Sequence, residues 1–174
     1  DIDPFARLLI KVKTTFYSDE DINFLDNIVN RMKEIRMPEE TAYDLPGIPS
    51  IDKWFCKKSQ DGIAFLLSTI DDLACENEKI KDYLYVVVAG IIRKVSNADE
   101  VSPKPYISTR FPKVPAEPLE LFFKTEGMYR EAIIDFSQRI SEYNNSSIIL
   151  DSKDARHIDT DRNVDLAVTS PPYI

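Results

Sequence analysis

Apolar residues recur at every third or fourth position along most of the chain, which is the spacing of a helix packed on one side. Five such stripes are present, and each predicts one helix whose apolar face belongs to the core. The stripes are Phe5, Leu8, Leu9 and Val12; Ile22, Leu25, Ile28, Val29, Met32 and Ile35; Ile63, Leu66, Leu67, Ile70 and Leu73; Ile80, Tyr83, Leu84, Val87, Val88, Ile91 and Val95; and Phe122, Met128, Tyr129, Ala132, Ile133, Phe136 and Ile140.

Polar caps and prolines set the expected limits of these helices. Asp3 followed by Pro4 predicts a helix start, because aspartate accepts from free N–H groups and proline suits the first turn. Ser18, followed by three acidic residues, predicts a second start, where the helix dipole favours negative charge. Pro38 is expected to end that helix. Residues 102–118 hold five of the eleven prolines and predict an extended or irregular segment.

The pattern changes after Asn144, where short β-branched runs replace the helical stripes. Residues 147–150 and 164–169 form two such runs, separated by a polar stretch. Short apolar runs of this kind predict buried strands, and we expect the two strands to be adjacent and parallel. These two strands, and a helix directly after an acidic N-terminal tip, favour an α/β fold. The residues between that first helix and the two strands would then be a helical insertion.

The apolar runs, the net charge and the cysteines of the chain limit the classes of protein to which it can belong. No run of about 18 apolar residues occurs, so no membrane-spanning helix is predicted. The net charge of −8 argues against a chain that only coats nucleic acid, but not against an enzyme with a local basic groove. Cys56 and Cys75 stand in no metal-binding or redox spacing, so we expect two reduced structural thiols in a cytoplasmic protein and no metal site.

Two short segments interleave basic and aromatic residues, a composition that can follow a nucleic-acid backbone. The simpler interpretation, a solvated surface with buried rings, is preferred from the sequence alone. The single histidine, His157, is interpreted as structural or solvated rather than catalytic. The residues are Lys53, Trp54, Phe55, Lys57 and Lys58 in the first segment, and Lys104, Tyr106, Arg110, Phe111 and Lys113 in the second.

The residues after the second predicted strand have the most distinctive chemistry in the chain. Ser170, Pro171, Pro172 and Tyr173 follow an apolar run, and ligands of open α/β sheets bind beyond the carboxyl ends of strands. Two prolines stiffen the loop and leave its carbonyl groups free, because proline supplies no N–H. The Ser170 hydroxyl and the Pro171 carbonyl can accept from an amine, and Tyr173 can stack on a flat ring. A turn that only closes a strand is the alternative.

Three segments resemble motifs of the S-adenosylmethionine-dependent DNA methyltransferases that modify amino groups. Residues 165–173, Asp-Leu-Ala-Val-Thr-Ser-Pro-Pro-Tyr, are similar to the catalytic motif, whose serine form is most typical of cytosine-N4 enzymes. Residues 151–156 resemble a Gly-Asp-Ala-Arg segment, although Ser152 and Lys153 stand before the acid, where glycine is usual. Residues 1–6 resemble the segment that follows the second strand of these enzymes. The three segments occur in the family's order.

The resemblance implies a role for each matched residue. An acid at the tip of the second strand would bind both hydroxyl groups of the cofactor ribose; this is Asp1, with Asp3 as the second choice and helix capping as the alternative role of Asp3. Asp154 would face the adenine amino group of the cofactor, with a solvated turn aspartate as the alternative. The residues implied to be catalytic are Ser170, Pro171, Pro172 and Tyr173.

The implied fold class is α/β, a fragment of a Rossmann-like class I methyltransferase. It would be mostly helical by residue count because of a large helical insertion between strands two and three. Residues 1–16 would hold the end of the second strand and its helix, 17–145 the insertion, and 146–174 the third and fourth strands with the catalytic loop. The family's Phe-x-Gly-x-Gly cofactor loop has no counterpart among the four glycines, so we expect an internal fragment that is inactive alone.

The implied activity is site-specific DNA methylation. A methyl group passes from S-adenosyl-L-methionine to the exocyclic amine of a base flipped out of the duplex, with cytosine N4 as the first choice. The implied partner is DNA, and the implied setting is the cytoplasm, in a restriction-modification system or as a solitary enzyme. The alternatives are adenine N6, an amine in RNA, or a non-catalytic helical interaction module.

Overall fold

The computed structural model describes residues 3–38, 45 and 47–141, and six helices lie within these ranges. Each of the five helices predicted from the apolar stripes is present. The sixth, a single turn, was not predicted. The helices are α1 (Pro4–Thr14), α2 (Asp19–Glu34), α3 (Ile51–Trp54), α4 (Lys57–Leu73), α5 (Glu78–Val95) and α6 (Pro118–Ile140).

Local capping explains where three of the helices begin. At α2, the Ser18 hydroxyl accepts from the N–H of Asp21 at 3.2 Å, and the Asp21 carboxylate accepts from the N–H of Ser18 at 2.9 Å. This reciprocal pair satisfies donors that the first turn of a helix leaves free. At α5, the Asn77 side chain accepts from the N–H of Ile80 in the same way. Asp3 caps α1.

The central element of the helical body is α5. Helices α1, α4 and α6 each pack against it, and α4 also contacts α6. Apolar side chains occupy most of the circumference of α5, and a helix of that composition is stable only when surrounded. Helix α6 runs antiparallel to α5: the Ala116 N–H donates to the Lys94 carbonyl at 3.1 Å, and the Tyr83 hydroxyl donates to the Glu126 carbonyl at 3.0 Å. The buried residues of α5 are Ile80, Tyr83, Leu84, Val86, Val87, Val88, Ile91 and Val95.

Helix α2 is joined to the body through polar contacts as well as its buried face. The backbone N–H of Tyr17, just before α2, donates to the hydroxyl of Ser137 in α6 at 2.9 Å. Lys79 at the start of α5 forms an ion pair with Asp21 at 2.6 Å. Burial raises the pKa of Asp21, but hydrogen bonds from Lys79 and Ser18 outweigh that effect, and the pKa is lowered overall.

The predicted α/β, Rossmann-like fold is wrong for the described residues. Helices hold 67% of them, and none lies in a strand. The reason is the period of the apolar pattern: between residues 3 and 141 apolar side chains recur three or four positions apart, which buries one helix face and suits no sheet. Even the β-branched run Val86 to Val88 lies within α5, because burial outweighs intrinsic strand preference. The strands predicted at 147–150 and 164–169 lie outside the described residues.

The two domain boundaries predicted from the sequence, between residues 16 and 17 and between residues 145 and 146, stay predictions. Val12 of α1 and Tyr17, which stand on either side of the first limit, belong to one buried cluster with the residues of α5. The segment 146–174 lies outside the described residues.

Candidate functional site

The residues predicted to carry the chemistry lie outside the described part of the chain. Their mutual geometry, and their position relative to the helical body, therefore stay predictions. These residues are Asp1, Asp154, Ser170, Pro171, Pro172 and Tyr173, and His157 also lies outside.

Asp3, the second choice for a ribose-binding acid, lies within the described residues. One of its carboxylate oxygens accepts from the N–H of Phe5 at 2.8 Å, and Pro4 occupies the first helical position. The expected capping role of Asp3 is thus confirmed. Because this carboxylate serves the helix start, we do not assign it to a ligand.

The first basic and aromatic segment is fixed against the C-terminal end of α5. The N–H of Asn97 donates to the Trp54 carbonyl at 2.7 Å, and the Asn97 side-chain amide donates to the Lys53 carbonyl at 2.9 Å. Asn97 lies two residues after Val95, the last residue of α5, so it joins the short helix α3 to the end of the central helix.

The second segment folds back onto the same end of α5. The Arg93 guanidinium donates to the carbonyls of Asp99, at 2.9 and 3.0 Å, and of Ser102. The Lys113 ammonium group donates to the Arg93 carbonyl at 2.7 Å and to the Ala98 carbonyl at 3.3 Å. The proline-rich stretch has no helix or strand before Pro118, as predicted for residues 102–118, and these bonds hold it to the helical body.

The two segments together form what we call the basic end surface. Residues 47–58 and 93–117 hold eight basic and four acidic side chains, although the chain as a whole has a net charge of −8. Positive charge is therefore concentrated at this end of the molecule. The surface consists of Lys53, Trp54, Lys58, Lys94, Lys104, Tyr106, Arg110 and Phe111.

None of the cations of the basic end surface has a carboxylate partner among the described residues. Lys57 and Lys113, their close neighbours, differ: Lys57 pairs with Asp61 at 2.8 Å, and Lys113 pairs with Glu100 at 3.1 Å. Within the described ranges the cations without a carboxylate partner are Lys53, Lys58, Lys94, Lys104 and Arg110, and all five are exposed.

The rings of this surface are more exposed than expected. Tyr106 is 46% exposed and Phe111 is 73% exposed, so the expectation of buried rings is wrong for these two. Trp54 is half-buried, with the Lys53 ammonium 5.7 Å from its ring centre, and the Arg110 guanidinium lies 5.3 Å from the centre of Phe111. These distances are within the range of cation–π contact.

Three residues that organise this surface were not identified from the sequence. Arg93 and Lys94 stand in the last turn of α5, where basic residues are common because they complement the helix dipole. Asn97 bonds to residues more than 40 positions earlier in the chain. No local pattern distinguishes such a contact, since it exists only after the helices have packed.

Two groups beside the surface have lowered pKa values. The Asp99 carboxylate accepts from the N–H groups of Ser102 at 2.8 Å and Val101 at 3.0 Å, and these bonds lower its pKa. A hydrogen bond with the Ser59 hydroxyl lowers the pKa of the Cys56 thiol, while partial burial opposes the shift. Both cysteines are free, and both are exposed.

Two clefts lie elsewhere on the helical body. One, of about 350 Å³, lies between the start of α2 and the end of α6, and Asp19 is the single acidic residue among its described lining residues. The other, of about 360 Å³, lies between α1, α5 and α6 and is mainly apolar. The described lining of neither cleft includes two acidic residues, so neither cleft is assigned to the cofactor.

Two classes of feature are missing from the described ranges. No helix there is long and apolar enough to cross a membrane. No group of three or more histidine, cysteine or acidic side chains there could hold a metal ion. Comparison with models of protein families, with curated proteins and with solved structures gave no match.

Proposed function

We propose that the full-length protein is an S-adenosylmethionine-dependent DNA methyltransferase that modifies the exocyclic amine of a base, with cytosine N4 as the target. The run Ser170-Pro171-Pro172-Tyr173, placed directly after an apolar segment, is the observation that carries the proposal. The segments at 151–156 and 1–6 support it, because they occur in the order of the resembled family.

The four motif residues suit an amine substrate. The Ser170 hydroxyl and the Pro171 carbonyl would accept hydrogen bonds from the two N–H groups of an exocyclic amine and so orient its nitrogen. Pro171 and Pro172 restrict the backbone and keep these acceptors in place. Tyr173 would stack on the ring of the base, which has left the duplex.

S-adenosyl-L-methionine would supply the methyl group. Asp1 is proposed to accept from its ribose hydroxyl groups and Asp154 to lie near its adenine amino group. Asp3 is left out of this set, because it caps α1. No described residue is proposed as a ligand of the cofactor.

DNA is the proposed partner, and the cytoplasm is the proposed location. The partner assignment is supported by the basic end surface, whose five cations have no carboxylate partner among the described residues and make this part of an acidic chain locally positive. Neutralising phosphates requires clustered lysine and arginine of this kind.

A non-catalytic helical interaction module is the second candidate. The observation that favours it is the structure of residues 3–141, whose described part has six helices, its own core and no strand. Under this function the Pro171-Pro172 turn would have no catalytic role.

Product analysis separates these functions. Full-length protein is incubated with methyl-labelled cofactor and unmethylated DNA, and the nucleosides are identified after digestion. We expect N4-methylcytosine. N6-methyladenine would keep the enzyme class but change the base, and label found only in RNA would change the substrate. No labelled nucleoside from either nucleic acid would contradict the proposal and favour the helical module.

A further inference from the structure

We propose that the basic end surface is a docking surface for the phosphodiester backbone of duplex DNA. The identity of the nucleic acid rests on the proposed methyltransferase function. The location of the surface rests on the described structure alone.

The surface is built from two parts of the chain that only the fold brings together. Residues 53 and 54 are bonded to Asn97, and residues 99–113 are bonded back to Arg93 and Ala98. Both sets of bonds lie within three residues of Val95, the last residue of α5, which is the central helix of the body. A surface attached in this way is held on a rigid element, which limits the conformational entropy lost on binding.

The cations near this end of α5 fall into two groups with different contacts, and the second group is available to a ligand outside the chain. Arg93 and Lys113 direct their charged groups at backbone carbonyls and serve the fold. The side chains of Lys104 and Arg110, by contrast, have no carboxylate partner in the described ranges and lie in an exposed loop. Unpaired cations clustered in an acidic chain are the groups that exchange counterions for phosphates.

The two exposed aromatic rings of the basic end surface favour nucleic acid as its ligand. Phe111 is 73% exposed and lies under Arg110, and Tyr106 is 46% exposed in the same loop. Aromatic faces next to backbone-binding cations can stack on bases that have left the duplex. The flipped target base itself is assigned to Tyr173, so the value of these rings is that they complete the mixed cationic and aromatic composition of a nucleic-acid-binding surface.

A charge-matched pair of double variants tests the surface. Lys104→Ala/Arg110→Ala removes two cations from the surface, while Lys13→Ala/Arg139→Ala removes two from the other end of the bundle. Lys13 lies in the last turn of α1, next to the Lys11 ion pairs with Glu78 and Asp82 at the start of α5. Arg139 lies in the last turn of α6, which runs antiparallel to α5.

Binding of the full-length protein to a short fluorescein-labelled DNA duplex is followed by anisotropy at several salt concentrations. We expect the surface variant to bind roughly tenfold or more weakly at about 0.1 M salt, with a salt slope smaller by about two. The control variant should match the unaltered protein, and both should keep its melting midpoint. An equal loss in the two variants, no loss in either, or equal affinity for RNA of the same length would overturn the proposal.

Measuring methyl transfer with the same protein samples distinguishes a failure of the docking surface from a failure of the proposed activity. If DNA binding falls only in the surface variant but no protein transfers methyl groups, the docking surface stands and the proposed activity fails. If methyl transfer is present and the surface variant binds DNA normally, the activity stands and the docking surface is wrong.

Discussion

At the scale of single residues, one buried carboxyl group carries the clearest electrostatic consequence. Glu126 of α6 is only 4% exposed, and its carboxylate accepts from the Arg130 guanidinium at 3.0 Å. Arg130 also forms an ion pair with Asp26 of α2. Burial raises the pKa of Glu126, and the attraction of Arg130 cancels only part of that shift.

This raised pKa gives a pH dependence of known sign. The folded state holds the proton of Glu126 more tightly than the unfolded chain, whose ordinary pKa is 4.5. The stabilisation from this group is therefore fully present below the unfolded pKa and is lost as the pH rises through the folded value.

Glu126→Gln removes the titration while it keeps an acceptor for Arg130. Relative to the unaltered chain, we expect the free energy of unfolding of the variant to rise between about pH 4 and about pH 7. Urea denaturation at the two pH values measures the difference. A difference that is the same at both pH values, or that falls as the pH rises, would contradict a raised pKa of Glu126 in the folded state.

At the scale of elements, the crossing of α4 and α6 depends on a glycine. A Cβ atom added to Gly62 would lie 2.8 Å from the Cβ and Cγ atoms of Pro118, the first residue of α6. The proline ring is rigid, so the two helices would have to separate. A Cβ atom added to Gly127, within α6, would have no neighbour within 4 Å among the described residues.

The two glycines are therefore expected to respond to alanine in opposite directions. Alanine favours a helix over glycine by about 0.5–1 kcal/mol, and Gly127→Ala should stabilise the chain by that amount. At Gly62 overpacking should exceed the gain, with a net destabilisation of about 1–2 kcal/mol. Urea denaturation of the 174-residue chain checks both. Stabilisation by Gly62→Ala would mean that α4 and α6 are not in close contact there.

The helices could be predicted from the sequence because their signals are local. The stripe of α2, its Ser18 cap and its acidic first turn all lie within a few positions of each other. The single turn α3 was missed, since four residues do not establish a period. The central place of α5 depends on which faces meet after packing, and that is a property of the whole core.

At the scale of the whole molecule, the fold class was inferred from the two ends of the chain and proved wrong for the described body. Short β-branched runs are ambiguous between strand and buried helix, as Val86 and Val87 within α5 demonstrate. The candidate surface was predictable only in part. The interleaved residues around Trp54 and Phe111 were evident, but their meeting at Asn97 required contacts between distant segments.

The most direct test of the proposed function is the rate of methyl transfer into DNA by Ser170→Ala and Tyr173→Ala in the full-length protein. Ser141→Ala, a serine outside the motif, is the control, and a melting curve accompanies each protein. Ser170→Ala removes one acceptor for the amine, at about 2–4 kcal/mol of transition-state stabilisation. Tyr173→Ala removes a stacking face worth roughly 1–3 kcal/mol.

We expect both motif variants to transfer methyl groups more slowly, by about 30- to 1,000-fold for Ser170→Ala, since each 1.4 kcal/mol is about tenfold in rate. Their melting midpoints should stay close to that of the unaltered protein, and Ser141→Ala should keep the unaltered rate. Motif variants that transfer at the unaltered rate would contradict the catalytic assignment, and motif variants that unfold would make the Pro171-Pro172 turn a structural element instead.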